Sequence, residues 1–102
     1  MPSIEDIGEA IAVREMEFVY DTGLRENVVL RVGMPRECED PEAWVCPYEI
    51  RSESHQKIFG MVGIDSLQAL ELTMKTLKVE IEYWERSRKG KFFFLDEEGA
   101  AI

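Results

Sequence analysis

The chain is poor in the residue types from which reactive centres are usually built. Its 102 residues include one histidine, His55, and two cysteines, Cys38 and Cys46. Two cysteines make no disulfide framework, their spacing is not Cys-x-x-Cys, and one histidine leaves no zinc quartet. Glycine numbers 7 and proline 4, with no phosphate-cradling glycine loop and no Gly-x-Ser-x-Gly elbow. No stretch approaches the ~18 consecutive apolar residues of a membrane-spanning helix. The opening Met1-Pro2-Ser3-Ile4-Glu5-Asp6 has no basic segment ahead of an apolar run. No secretory signal is therefore expected, and a reducing cytoplasm is the expected setting. These absences leave no expected metal or cofactor.

Positive charge is also scarce. Lys and Arg total 12 against 21 Asp and Glu, a formal net charge of −9 and a pI near 4.6. Such a surface repels phosphate and disfavours nucleic-acid binding by charge neutralisation. The same field draws in a basic protein partner and speeds its encounter. Hydrophobic residues at 45% are enough for one modest core, so a single domain over 1–102 is expected.

Apolar periodicity gives the architecture. Ala12, Arg14, Met16, Phe18 and Tyr20 alternate with the residues between them, the pattern of a strand over about 11–20. Asp21-Thr22-Gly23 carries turn chemistry. A second strand over 28–34 puts Val28, Leu30, Val32 and Met34 on one face, and Pro35 stops it. A third, over 43–51, aligns Trp44, Cys46, Tyr48 and Ile50, with Pro47 suggesting an edge position or a bulge. A weaker fourth strand falls over 56–62. From Gly63 the pattern changes: Leu67, Leu70, Met74, Leu77, Ile81 and Trp84 recur at spacings of 3, 4, 3, 4 and 3, one stripe of a helix over about 65–88. Asp65 suits its N-cap, and Arg86, Arg88, Lys89 and Gly90 suit its end. The tail, 91–102, holds Phe92-Phe93-Phe94-Leu95, either a last strand, a strap, or a self-association surface through Phe92, Phe93 and Phe94. The expected fold is α+β: a three- to five-stranded, mainly antiparallel sheet with one long C-terminal helix across one face.

Several motifs invite a chemical reading. Gly63-Ile64-Asp65-Ser66-Leu67 resembles the attachment motif of acyl and peptidyl carrier proteins, in which the serine bears a phosphopantetheine arm. Those domains are helical bundles, whereas the residues before Ser66 read as strands, and helix capping accounts for Asp65 and Ser66. Asp21-Thr22-Gly23 resembles the retroviral-type aspartic protease motif, but those proteases have no place for so long a helix. Ser52-Glu53-Ser54-His55-Gln56 places hydrolase residue types side by side, and neighbours along one segment rarely converge on one proton path. The loop Glu37, Glu39, Asp40 and Glu42 lacks calcium-loop spacing; it is the candidate docking surface for a basic partner.

Cys46-Pro47-Tyr48 followed by Gly63 through Leu70 is similar to the recurring pattern of a family of small uncharacterised bacterial proteins. The resemblance implies one antiparallel sheet with one long helix and brings no established activity. Some members resemble, in size and acidity, the immunity proteins that bacteria pair with toxins. Two functional readings follow, with a phosphopantetheine carrier at Ser66 as a remote third. The first is a non-enzymatic module that binds, or inhibits, a basic protein. The second is a small-molecule or enzymatic domain on the open sheet face, marked by a concavity holding Glu49, Arg51 or His55.

Overall fold

The computed structural model describes residues 6–39 and 42–102. Its elements are β1 (Ala10–Tyr20), β2 (Arg25–Gly33), β3 (Arg36–Glu37), β4 (Trp44–Arg51), β5 (Gln56–Gly63), α1 (Ser66–Arg88), β6 (Gly90–Phe94) and β7 (Glu97–Glu98). Among the described residues, the seven strands form one sheet, antiparallel at every pairing and ordered β5-β4-β2-β1-β6-β7, with β3 beside the start of β4. The α+β architecture is the expected one. The strand count exceeds three to five because the tail supplies β6 and β7 and the acidic loop opens on the two-residue β3. No helix among the described residues is long and apolar enough to cross a membrane.

β1 and β2 form a long hairpin closed at Asp21-Thr22-Gly23. The Gly23 N–H donates to Tyr20 O at 2.8 Å, and Gly23 sits at φ 92°, where glycine is favoured. The Asp-Thr-Gly sequence is therefore a hairpin turn. Met16 and Phe18 on β1, Val28, Leu30 and Val32 on β2, Cys46, Tyr48 and Ile50 on β4, and Phe92 on β6 share the buried face. Phe18 stands at its centre, its ring 4.9 Å from both Tyr20 and Phe92 and 6.4 Å from Trp84.

α1 covers this face, lying over β4 and β5 and reaching β6. Asp65 caps it, accepting the Gln68 N–H at 2.7 Å. Its buried residues are Ala69, Thr73, Leu77, Ile81 and Trp84, which corrects the expected stripe. Leu67 is 71% and Met74 43% exposed, and Leu70 only partly buried. Gly63 explains the rotation. A Cβ there would lie 2.5 Å from Ala69 N, so the first turns lean in on their small residues. Thr73 completes the approach, its Oγ1 donating to Cys46 O at 2.8 Å inside the core. At the far end Lys89, not Gly90, is the left-handed residue (φ 55°). Gly90 is reserved for packing, since a Cβ there would lie 2.5 Å from Val19 O and 2.7 Å from the Phe18 ring.

Two other expectations need correction. β4 is interior rather than an edge. Pro47 is tolerated because pairing on that side is broken there: the β2 ladder runs along β4 only as far as Tyr48, and the β3 ladder starts only at Val45. The second sheet face is not wholly solvated, for Val45, Pro47 and Glu49 are buried on it. Ile7, itself buried, folds beneath Gly33 and Pro47, where a Gly33 Cβ would lie 2.3 Å from Ile7 O. β2 ends at Gly33, ahead of Pro35, and Met34 is 48% exposed.

Candidate functional site

The acidic loop is a hairpin connection. Glu37 lies opposite Trp44 in the β3–β4 pairing, and the Cys38 N–H donates to Ala43 O at 3.0 Å. Glu37, Glu39 and Glu42 are exposed on it, and Asp40 lies outside the described residues. Trp44 also pairs with Gly63 on its other side, so the exposed Ile64 occupies the same end of the sheet. Among the described residues no three His, Cys, Asp or Glu side chains are gathered as metal ligands would be.

A polar cluster that the sequence did not mark as a unit joins the two hairpins. Glu26 accepts the Tyr20 hydroxyl at 2.6 Å, the Ser54 N–H at 2.9 Å and the Ser54 hydroxyl at 2.8 Å. Burial pushes the Glu26 carboxyl up, but hydrogen bonds from Ser52, Tyr20 and Ser54 together outweigh it and hold the group at about 2. The Glu26 bond and burial raise the Tyr20 phenol in turn. Ser52 and Ser54 share a hydroxyl contact at 3.3 Å. His55 instead presents its ring to Trp84, centroids 5.4 Å apart, and Arg88 stacks over that indole at 4.1 Å. Serine, carboxylate and imidazole thus meet in one region, with the carboxylate engaged in clamping the β4–β5 turn to the β1–β2 hairpin.

Glu49 and Arg51, the open-face candidates, part company. Glu49 is buried, accepting from Gln56 Nε2 at 2.6 Å with Arg31 at 3.5 Å. Arg51 is exposed. Glu49 tethers three strands, and the cavities described next are lined by other residues.

The surface with room for a partner flanks the first half of β1. On the helix side an apolar cleft of about 120 Å³ is lined by Ala12, Val13, Leu30, Val32, Met74 and Ile102, among others. Leu67, Leu70 and Met74, at i, i+3 and i+7, extend its helical wall toward the N-terminus of α1. On the other sheet face an open notch of about 400 Å³ lies where β6 departs from β1, with Glu15, Glu17, Asp96, Phe93 and Leu95 in its wall. Glu17 is tied to Arg25 at 2.6 Å; among the described residues neither Glu15 nor Asp96 has an ion-pair partner. Leu95 and Asp96, at φ 53° and 65°, form the β6–β7 turn, and Leu95 is 79% exposed. No residue pattern marks this site, because it depends on where β6 stops alongside β1.

Ser66 is the exposed first residue of α1, set beside a sheet rather than in a helical bundle. Phe92 has no exposed surface, and Phe93 and Phe94 are half-buried. No curated protein and no solved structure matches the chain. A family model does match it over residues 12–102, nearly the whole sequence, and the chain belongs to that family, the domain of unknown function DUF6968.

Proposed function

We propose that the chain is a non-enzymatic interaction module that binds a basic protein, in its finer form as an inhibitor of that protein. One observation carries this reading: an apolar stripe on α1, with Leu67 and Met74 exposed and Leu70 partly buried, beside a cleft in a chain of net charge −9. Apolar side chains left out of the core beside a cleft mark association surfaces, and the surrounding carboxylates select a cationic partner. The acidic loop Glu37, Glu39 and Glu42 adds to the same field and steers encounter from a distance.

The test is capture from a lysate of the protein's own source by the tagged chain and by a Met74→Glu, Leu67→Glu variant. The expected result is one stoichiometric basic protein that the wild type retains, the variant loses and salt releases. Equal retention by both proteins, or binding insensitive to salt, would overturn the reading.

A further inference from the structure

Resting on that reading, we propose that the partner contributes an extended segment of alternating basic and apolar residues, which adds to the sheet along the open edge of β1. The geometry begins with the direction of the backbone groups. The Tyr20 N–H points into the hairpin, donating to Leu24 O, and the Asp21 N–H points the other way, to Lys89 O. Strand alternation then turns the N–H and C=O of Val19, Glu17, Glu15 and Val13 toward the β6 side. β6 runs only as far as the pairing of Glu17 with Phe93. Val13 and Glu15 therefore carry four outward hydrogen-bonding groups with no strand beside them among the described residues. The irregularity between Ala10 and Ala12 closes the regular edge at its other end.

Open edges are usually blunted by lysine, proline or a covering segment. Ala12–Met16 contains neither residue, and Val13 is 57% exposed. Arg14, the one cation there, projects to the helix side, where it holds the 100–101 segment. Its guanidinium lies 4.3 Å over the Phe94 ring and donates to Ala100 O and Ala101 O at 3.0 and 2.9 Å. That segment lies on the helix side of the edge, and among the described residues no backbone group pairs with the outward N–H and C=O of Val13 and Glu15.

The two faces select what can join it. Side chains of an added strand project alternately to each side. Those on the helix side meet the apolar cleft of Ala12, Leu30, Val32 and Met74. Those on the other side meet Val13 and then the notch with Glu15 and Asp96, neither of which has an ion-pair partner among the described residues. A valine-like residue fits the first and an arginine or lysine the second. Charge decides against a second copy of the chain as occupant: pairing would bring −9 to −9, and a two-fold register centred on Arg14 would set two arginines against each other.

The test uses a capped octapeptide of four Arg-Val repeats, with four arginines followed by four valines as a control of equal composition. At low salt the alternating peptide should bind at least tenfold more tightly than the block peptide. It should slow amide exchange at Val13 and Glu15 above other β1 residues. Val13→Pro, which removes an outward donor at an edge where proline is tolerated, should abolish binding while exchange protection elsewhere in the sheet persists. Glu15→Lys should weaken it tenfold or more. Equal binding of both peptides without protection at Val13 and Glu15 would overturn strand addition. If Glu15→Lys still weakened that binding, the basic-partner reading would survive. If neither peptide bound, strand addition would again fail, and lysate capture would decide the basic-partner reading separately.

Discussion

Replacing Leu77 and Leu67 by alanine separates the face that α1 buries from the one that its sequence advertises. Both leucines belong to the apolar stripe, yet Leu77 is wholly buried and Leu67 is 71% exposed. Burying a leucine is worth about 1.5–3 kcal/mol, and a rigid core adds the cost of the cavity left behind. Leu77→Ala should therefore cost about 2–5 kcal/mol, a large part of the ~5–15 kcal/mol by which a domain of this size is stable. Leu67→Ala removes no core contact and should stay within about 0.5 kcal/mol. Thr73→Val gives an intermediate check. It keeps the shape but deletes the donor to Cys46 O, a loss of about 1–3 kcal/mol if the carbonyl is left unsatisfied. Urea titrations followed by the fluorescence of Trp44 and Trp84 would read all three, provided that the slopes agree. A Leu67→Ala cost equal to that of Leu77→Ala would refute the assigned helix rotation and the exposed stripe on which the partner surface rests.

Two further outcomes follow. Glu26 ionises at about 2 when folded against an ordinary value of 4.5. Its contribution to stability is thus complete above about pH 4.5 and lost as pH falls toward 2. Urea midpoints at pH 6 and pH 3 should differ more for the wild type than for Glu26→Gln; equal differences would remove the clamp role. Leu95→Asn should raise stability by about 1 kcal/mol, since asparagine accepts the left-handed conformation that costs leucine about that much. A lower melting temperature would show that the Leu95 side chain contributes more than its backbone costs.

The fold was legible where one physical signal dominated. Alternation placed β1, β4 and the face bearing Met16, Phe18, Tyr48 and Ile50, and Asp65 marked the start of α1. Tertiary contacts decided the rest. The helix stripe misled at its first two turns because hydrophobicity ranks Leu67 above Ala69. Steric access at Gly63 ranks them the other way. Pro47 signalled an interrupted ladder correctly, but the interruption came from the break between β2 and β3 on a neighbouring strand. The site was less visible still. The acidic loop is evident as a run of carboxylates, whereas the notch gathers Glu15 and Asp96 from opposite ends of the chain. The open edge beside it is a property of strand lengths rather than of composition.

The pairing of β6 with β1 has a consequence for the order in which this molecule assembles. The β1–β2 hairpin closes through a turn of a few residues, but Glu17 must wait for Phe93, 76 positions later. Closing a loop of that length costs about 4 kcal/mol in chain entropy before any contact repays it. Until α1 has formed and Gly90 has slid against Phe18, that ring lacks Phe92 on one side and Trp84 above it. The centre of the core is therefore completed by its latest contact. Until β6 docks, Phe18 stands open to water on the side that Phe92 fills in the finished fold, so commitment to the native state is concentrated in the five residues of β6.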